Sequence, residues 1–329
     1  MELRHSFGGP LRACLGRRPC RRRRLGRGPD GVPAEVLTGA RSPTVVTFAK
    51  SRLGFCEEVG AVPASAASDG HRYLALGDSV PFGFSPLLNA NDAHDFVGYP
   101  EKVAQLLDIK DVNATCPGEA TGGFLSLTGT DNVCRPYRAS FPLHVEYQGS
   151  QMSFALRYLT GHRNTKLITL TLGANDFFRF QKDCAAGANV GTCPLGLGGV
   201  FATMRANLTS ILSQIRAAGY DGLIVAVTYY SLSYSDPASV GGALALNGQM
   251  IAAAAANGAL VASGFNAWQA TALAAGGDSC AAGLLIALPT GGCDVHPTPL
   301  GRNLLAGEVI STIAASCPAH DAVTCLNRG

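Results

Sequence analysis

Four short stretches of this 329-residue chain carry side chains that could act together on a carbonyl group. Gly77-Asp78-Ser79-Val80-Pro81-Phe82-Gly83 puts a hydroxyl, that of Ser79, directly after an apolar run. Gly77 permits a sharp turn there, and the Ser79 backbone N–H can be directed at a bound carbonyl. The tripeptide alone says little, because Asp and Ser are ordinary turn and helix N-cap residues, and Asp78 is read as such a cap. Gly173-Ala174-Asn175-Asp176 follows a second apolar run. Asn175 could donate its amide to a developing oxyanion, or merely close a turn on its own backbone. The loop Asn113-Ala114-Thr115-Cys116-Pro117-Gly118-Glu119-Ala120-Thr121 offers the Gly118 N–H as a further donor. Near the carboxyl end, Asp294-Val295-His296-Pro297 supplies an imidazole, which can take a serine proton and return it to a leaving alkoxide because free His titrates at ~6.5. A hydroxyl, a base and several hydrogen-bond donors are together the requirements of acyl transfer.

These residues can cooperate only if separate elements bring them to one place. Tyr73–Leu76, Leu167–Leu172, Leu223–Thr228 and, more faintly, Ala259–Ala262 read as buried strands. Helical patterns lie between them at about 95–107, 150–160, 199–218, 238–257 and 299–315. Buried strands separated by helices predict an α/β fold in which a central parallel sheet carries helices on both faces. In such sheets the active residues gather in loops leaving the carboxyl ends of strands, which is where Ser79 and Asn175 fall.

In the order and placing of these blocks the sequence resembles the SGNH hydrolases, the GDSL esterase/lipase family, from about Arg72 to Ala315. The resemblance implies a three-layer α/β/α sandwich and a serine carboxylic ester hydrolase working through an acyl-serine. It implies Ser79 as nucleophile, His296 as base, and an oxyanion hole made by the N–H groups of Ser79 and Gly118 with the Asn175 side chain. No cofactor and no metal are expected. An acyl-thioesterase or carbohydrate deacetylase on the same scaffold, and a non-catalytic lipid- or ester-binding protein, are the alternatives. The Cys116-Pro-Gly-Glu-Ala-Thr121 block and the cysteine layout are similar to those of secreted actinobacterial-type esterases and lipases with three local disulfides. One position departs from the family. Its acid usually stands three residues before the histidine, where this chain has Cys293, and the nearby carboxylate, Asp294, stands two before. Either Asp294 or the main-chain carbonyl of Cys293 would orient the imidazole; the carbonyl is slightly favoured, since a disulfide at Cys293 would fix that backbone.

The charge of the chain is divided. Residues 1–60 hold 12 Arg and Lys against 5 Asp and Glu, net +7, which leaves 14 against 18, net −4, in residues 61–329. A basic face for nucleic acid would have to come from the Arg17–Arg24 run, which has no interleaved aromatics, and no nucleic-acid partner is expected. Residues 1–70 are read as a basic, disordered tail or a garbled export signal: Ala64-Ser65-Ala66 fits a cleavage site, but Cys56-Glu57-Glu58 interrupts the apolar segment that should precede it. Residues 71–317 are the predicted hydrolase domain and 318–329 a short C-terminal tail. Removing Cys14, Cys20 and Cys56 with the tail leaves eight cysteines, which allow 105 pairings. Spacing favours Cys116 with Cys134, Cys184 with Cys193 and Cys280 with Cys293, and more weakly Cys317 with Cys325. Cysteines so used point to an oxidising compartment and a secreted protein.

No run offers the ~20 strongly apolar residues of a membrane span, so no integral membrane segment is expected. The resemblance implies a small ester or lipid substrate as the partner. The pocket walls are expected from residues 82–95, 122–143 and 177–199, with Phe177, Phe178 and Phe180 forming an apolar wall or packed core. Asn113-Ala-Thr and Asn207-Leu-Thr fit glycosylation triplets by pattern alone.

Overall fold

A computed structural model describes residues 70–187 and 193–327; the stretch read as tail or export signal lies outside them, apart from Gly70. Five parallel strands, β1 (Arg72–Gly77), β2 (Lys110–Asn113), β3 (Thr165–Thr171), β4 (Leu223–Val227) and β5 (Leu260–Ala262), form one sheet in the order β2-β1-β3-β4-β5. Tyr73, Leu74, Leu76, Leu167, Ile168, Leu170 and Val225 are fully or almost fully buried, as central parallel strands covered on both faces require. The threonines of β3 are accommodated by paired hydroxyls: Tyr73 with Thr169 at 2.6 Å and Tyr99 with Thr171 at 2.8 Å. β2 went unread because an edge strand composed of Lys-Asp-Val-Asn has no apolar run.

Helices flank the sheet. Tyr99–Leu107, Gly264–Ala274 and Pro299–Ala315 pack together, and Gln151–Gly161, Cys193–Ala217 and Pro237–Ala256 form a second group. Trp268 is wholly buried, stacks on Tyr230 with ring centroids 3.6 Å apart, and donates to the Gly301 carbonyl at 3.0 Å. Among the described residues one helix, Pro237–Ala256, is long and apolar enough to cross a membrane. It is the crossover between β4 and β5, and its Leu246, Met250, Ala253 and Ala254 are buried in the core.

After β5 the chain leaves the sheet and makes an antiparallel hairpin of β6 (Leu285–Ala287) and β7 (Cys293–Pro297). Among the described residues four disulfides, Cys116–Cys134, Cys184–Cys193, Cys280–Cys293 and Cys317–Cys325, join the near neighbours that spacing favours. Within the stretch read as a short tail, 318–329, residues Ala322–Asn327 form a helix with Ala322 and Leu326 buried.

Candidate active site

The strand order reverses direction between β1 and β3, so the crevice beyond their carboxyl ends is the place where this topology leaves room for a ligand. Ser79 stands at the end of β1 and Asn175 at the end of β3. Gly77 makes the exit possible: its φ is +132°, and a Cβ there would sit 2.0 Å from the Thr171 carbonyl oxygen of β3. Asp78 caps the short helix Ser79–Phe82 by accepting the Val80 N–H at 3.0 Å. Ser79 is thus the first residue of a helix, where its N–H has no intrahelical acceptor. Asn175 lies in the first turn of the helix Ala174–Ala185, so the positive ends of two helices face the crevice.

The hairpin brings the imidazole. His296 on β7 holds Nε2 2.8 Å from Ser79 Oγ across 217 residues of sequence. Its Nδ1 bonds Asp294 Oδ1, and the same oxygen accepts the His296 backbone N–H at 3.1 Å. The acceptor on Nδ1 is therefore the Asp294 carboxylate; the slight preference for the Cys293 carbonyl is corrected, because a side chain two residues back can turn onto the ring while bonding the backbone N–H. With Nδ1–H given to Asp294, Nε2 keeps a lone pair toward Ser79. Burial works to raise the Asp294 carboxyl, but the hydrogen bond and charge of His296, with backbone N–H groups, hold it below the ordinary carboxylate range. The ring packs edge-on against Phe84, and the Tyr230 hydroxyl anchors β7 through the Val295 carbonyl at 2.7 Å.

Ser79, Gly118, Asn175 and His296 line one cavity of about 570 Å³. Gly118 adopts a left-handed φ of +80°, and the N–H groups of Gly118 and the Asn175 side chain meet no protein acceptor among the described residues. The rest of the wall is largely apolar and includes Phe84, Tyr137, Phe177, Phe178, Leu232 and Leu246. Phe180 is not part of it. Residues 229–246 contribute a wall that sequence reading did not assign.

Three supporting side chains also escaped the sequence. The Gln151 amide clamps Gly77, accepting its N–H at 2.6 Å and donating to its carbonyl at 3.0 Å. The Tyr229 hydroxyl donates to Asp78 and accepts the Ala174 N–H at 3.2 Å. Asp78 is therefore more than a cap: burial pushes its carboxyl up to about 6 although Tyr229 and the Val80 N–H favour its charge. Asn132 donates to Asn175 at 2.9 Å. None stands in a recognisable block, and only their partners mark them. As for the glycosylation triplets, Asn113 is buried and donates to Pro81 and Glu101, and Asn207 donates to Thr121.

The model of the GDSL-like lipase/acylhydrolase family matches residues 75–304. No curated protein sequence matches the chain. Among solved structures, phospholipase A1 from Streptomyces albidoflavus NA297 is 19% identical, with 73% of this chain and 98% of that one covered at a TM-score of 0.48. Axe2, an acetylxylan esterase from Geobacillus stearothermophilus, is 14% identical over 74% of this chain and 94% of its own, TM-score 0.46. LAE5, an alpha/beta hydrolase enzyme from the metagenome of Lake Arreo, Spain, is 14% identical over 78% and 97%, TM-score 0.46.

Proposed function

The chain belongs to the GDSL-like lipase/acylhydrolase family, and on that premise we propose that it is a secreted serine carboxylic ester hydrolase for substrates with an apolar acyl group. The observation that carries this reading is the Ser79–His296 hydrogen bond of 2.8 Å, with Asp294 on the far ring nitrogen. His296 takes the Ser79 proton as Oγ attacks the ester carbonyl. The oxyanion accepts hydrogen bonds from the N–H groups of Ser79 and Gly118 and from Asn175. His296 then gives the proton to the leaving alkoxide, and water, activated by the same imidazole, releases the acid from the acyl-serine.

The acyl group's character is inferred from the wall. Phe84, Tyr137, Phe177, Phe178, Leu232 and Leu246 offer a hydrocarbon chain a place out of water, at roughly 0.8 kcal/mol per buried CH₂. An acetyl group on a sugar would use little of it. Export is supported by the four disulfides, which persist in oxidising compartments.

A chain-length series of nitrophenyl esters, run with Ser79→Ala and with organophosphonate labelling, tests the reading. Turnover that rises from acetate toward longer acyl chains, vanishes in Ser79→Ala and is blocked by modification at Ser79 supports it. Wild-type turnover in Ser79→Ala overturns the mechanism, and a preference for acetyl esters overturns the substrate class. Absence of both turnover and labelling would favour a binding protein.

A further inference from the structure

A short segment outside the catalytic blocks, residues 131–134, touches two of the three segments that carry the proposed oxyanion donors, the Gly118 loop and the first turn of the Ala174–Ala185 helix. On one side the Val133 N–H donates to the Gly118 carbonyl at 3.2 Å, and the Cys116–Cys134 disulfide closes the same junction. A Cβ on Gly118 would lie 2.1 Å from Val133 Cγ2, so the two loops meet with no space for a side chain. On the other side Asn132 Nδ2 donates to Asn175 Oδ1 at 2.9 Å. The segment is itself fastened. The buried Asp131 carboxylate accepts the N–H groups of Cys134 and Arg135, each at 3.1 Å, and Arg179, from the helix that bears Asn175, donates to the Asp131 carbonyl at 3.0 Å.

The Asn132 bond has a chemical consequence. An Asn amide carries an acceptor oxygen and a donor nitrogen on opposite sides, so capture of one decides which is left for the other face. Asn132 and Asn175 both line the cavity. With Oδ1 of Asn175 taken by Asn132, its Nδ2 is the end left over. Rotated by half a turn, the same amide would present lone pairs to a developing negative charge. We infer that Asn132 is a positioning residue, which acts by holding the Asn175 amide with its N–H groups toward the reacting carbonyl. This rests on the reading of Asn175 as an oxyanion donor.

The test is a double-variant cycle on kcat with a soluble nitrophenyl ester, with thermal unfolding as a fold control. Asn175→Ala should lose roughly 10²–10³-fold in kcat, the usual worth of one such donor. Asn132→Ala frees the amide to rotate and should lose about tenfold in kcat with KM little changed, a part of that donor's worth. Asn132→Asp keeps the shape but can only accept; it should capture the Asn175 N–H groups and approach the roughly 10²–10³-fold loss of the donor itself. In the Asn175→Ala background, Asn132→Ala should add less than about twofold, because no amide remains to be held. Multiplying losses in that background would mean that Asn132 acts on the substrate directly, and would overturn the inference while leaving Asn175 a donor. An unimpaired Asn132→Asp enzyme would overturn it too. Full kcat in Asn175→Ala would remove the underlying reading of the oxyanion hole.

Discussion

Asp294 and His296 are two residues apart, and a single oxygen of the Asp294 carboxylate accepts both the His296 ring and the His296 backbone N–H, the latter at 3.1 Å. A carboxylate that bonds the N–H two residues on makes a local turn, and here the turn delivers the acid to the ring. The orientation of the imidazole is therefore built into three consecutive residues of β7. Asp294→Asn should present the ring with an amide and disturb the tautomer. kcat is expected to fall toward the ~10⁴-fold loss known for the acid of a serine triad, with KM little changed. The Asp294 side chain is 24% exposed, which allows solvent to soften the effect. Steady-state kinetics decide it: a loss under about tenfold would mean that another acceptor orients the ring.

Tyr229 joins the two strand exits. Its hydroxyl is shared between Asp78, which precedes Ser79, and the N–H of Ala174, which precedes Asn175. The Asn247 side chain holds the Tyr229 backbone by both its N–H, at 2.9 Å, and its carbonyl, at 2.7 Å, so the ring has a fixed base. Tyr229→Phe strips two buried groups of their partner and should destabilise the fold by about 1–3 kcal/mol. Its pH dependence follows from Asp78, which burial raises from 3.8 to about 6. Across that window the folded state keeps a proton that the unfolded chain has lost, so stability falls as pH rises. Loss of the Tyr229 bond raises Asp78 further and carries the decline to higher pH. Denaturant unfolding should therefore show a larger deficit for Tyr229→Phe near neutrality than in acid; an equal deficit at both would refute the coupling.

Ser79 and Asn175 stood out by position and not by type: each is an ordinary cap or turn residue, and its place after a buried apolar run, in series with the Gly118 and His296 blocks, set it apart. Leu167–Leu172 announces a strand, and Asn175 at its exit inherits a position. Their supports were not legible. Gln151, Tyr229 and Asn132 act through hydrogen bonds to residues 74, 151 and 43 positions away, and no local pattern encodes such a distance. Asp294 was legible as a residue but not in its orientation, since the choice between its carboxylate and the Cys293 carbonyl depends on how β7 turns. β2 was lost for a different reason: its pairing with β1 comes from the backbone, while its charged side chains resemble a loop.

Glu119 follows Gly118 and is almost completely buried. Burial, aided by repulsion from Asp131, pushes its carboxyl up to about 8, against the opposing pull of Arg138, Arg135 and Gln151. Between its ordinary value of 4.5 and about 8, the folded state holds a proton that the unfolded chain releases, so stability declines with rising pH. Glu119→Gln keeps the shape without the titration. Its melting temperature should equal that of the wild type within a few degrees at pH ~5 and exceed it at pH ~8, because the penalty grows across the window. Parallel melting curves with the same gap at both pH values would place the Glu119 proton elsewhere.

β7 bears both Asp294 and His296, yet it belongs to a two-stranded hairpin outside the main sheet, and such a hairpin is marginal by itself. Besides the contacts of His296 with Ser79 and Phe84, the Tyr230 hydroxyl on Val295 and the disulfide from Cys293 to Cys280, 13 residues apart, hold it at the mouth of the cavity. Replacing both cysteines by serine should cost about 3 kcal/mol of stability, the chain-entropy value for a loop of that size. It should also lower kcat at temperatures well below the transition, because Asp294 is bonded to Cys293 through a single peptide link. Cys317 and Cys325, 8 residues apart in sequence, are not among the residues that line the cavity, so removal of their bond should affect unfolding at the carboxyl end and leave kcat unchanged. Measuring kcat and the unfolding midpoint for the two double variants separates the effects. Equal losses of kcat would show that general stability, and not the placing of β7, is what the Cys280–Cys293 bond contributes to turnover.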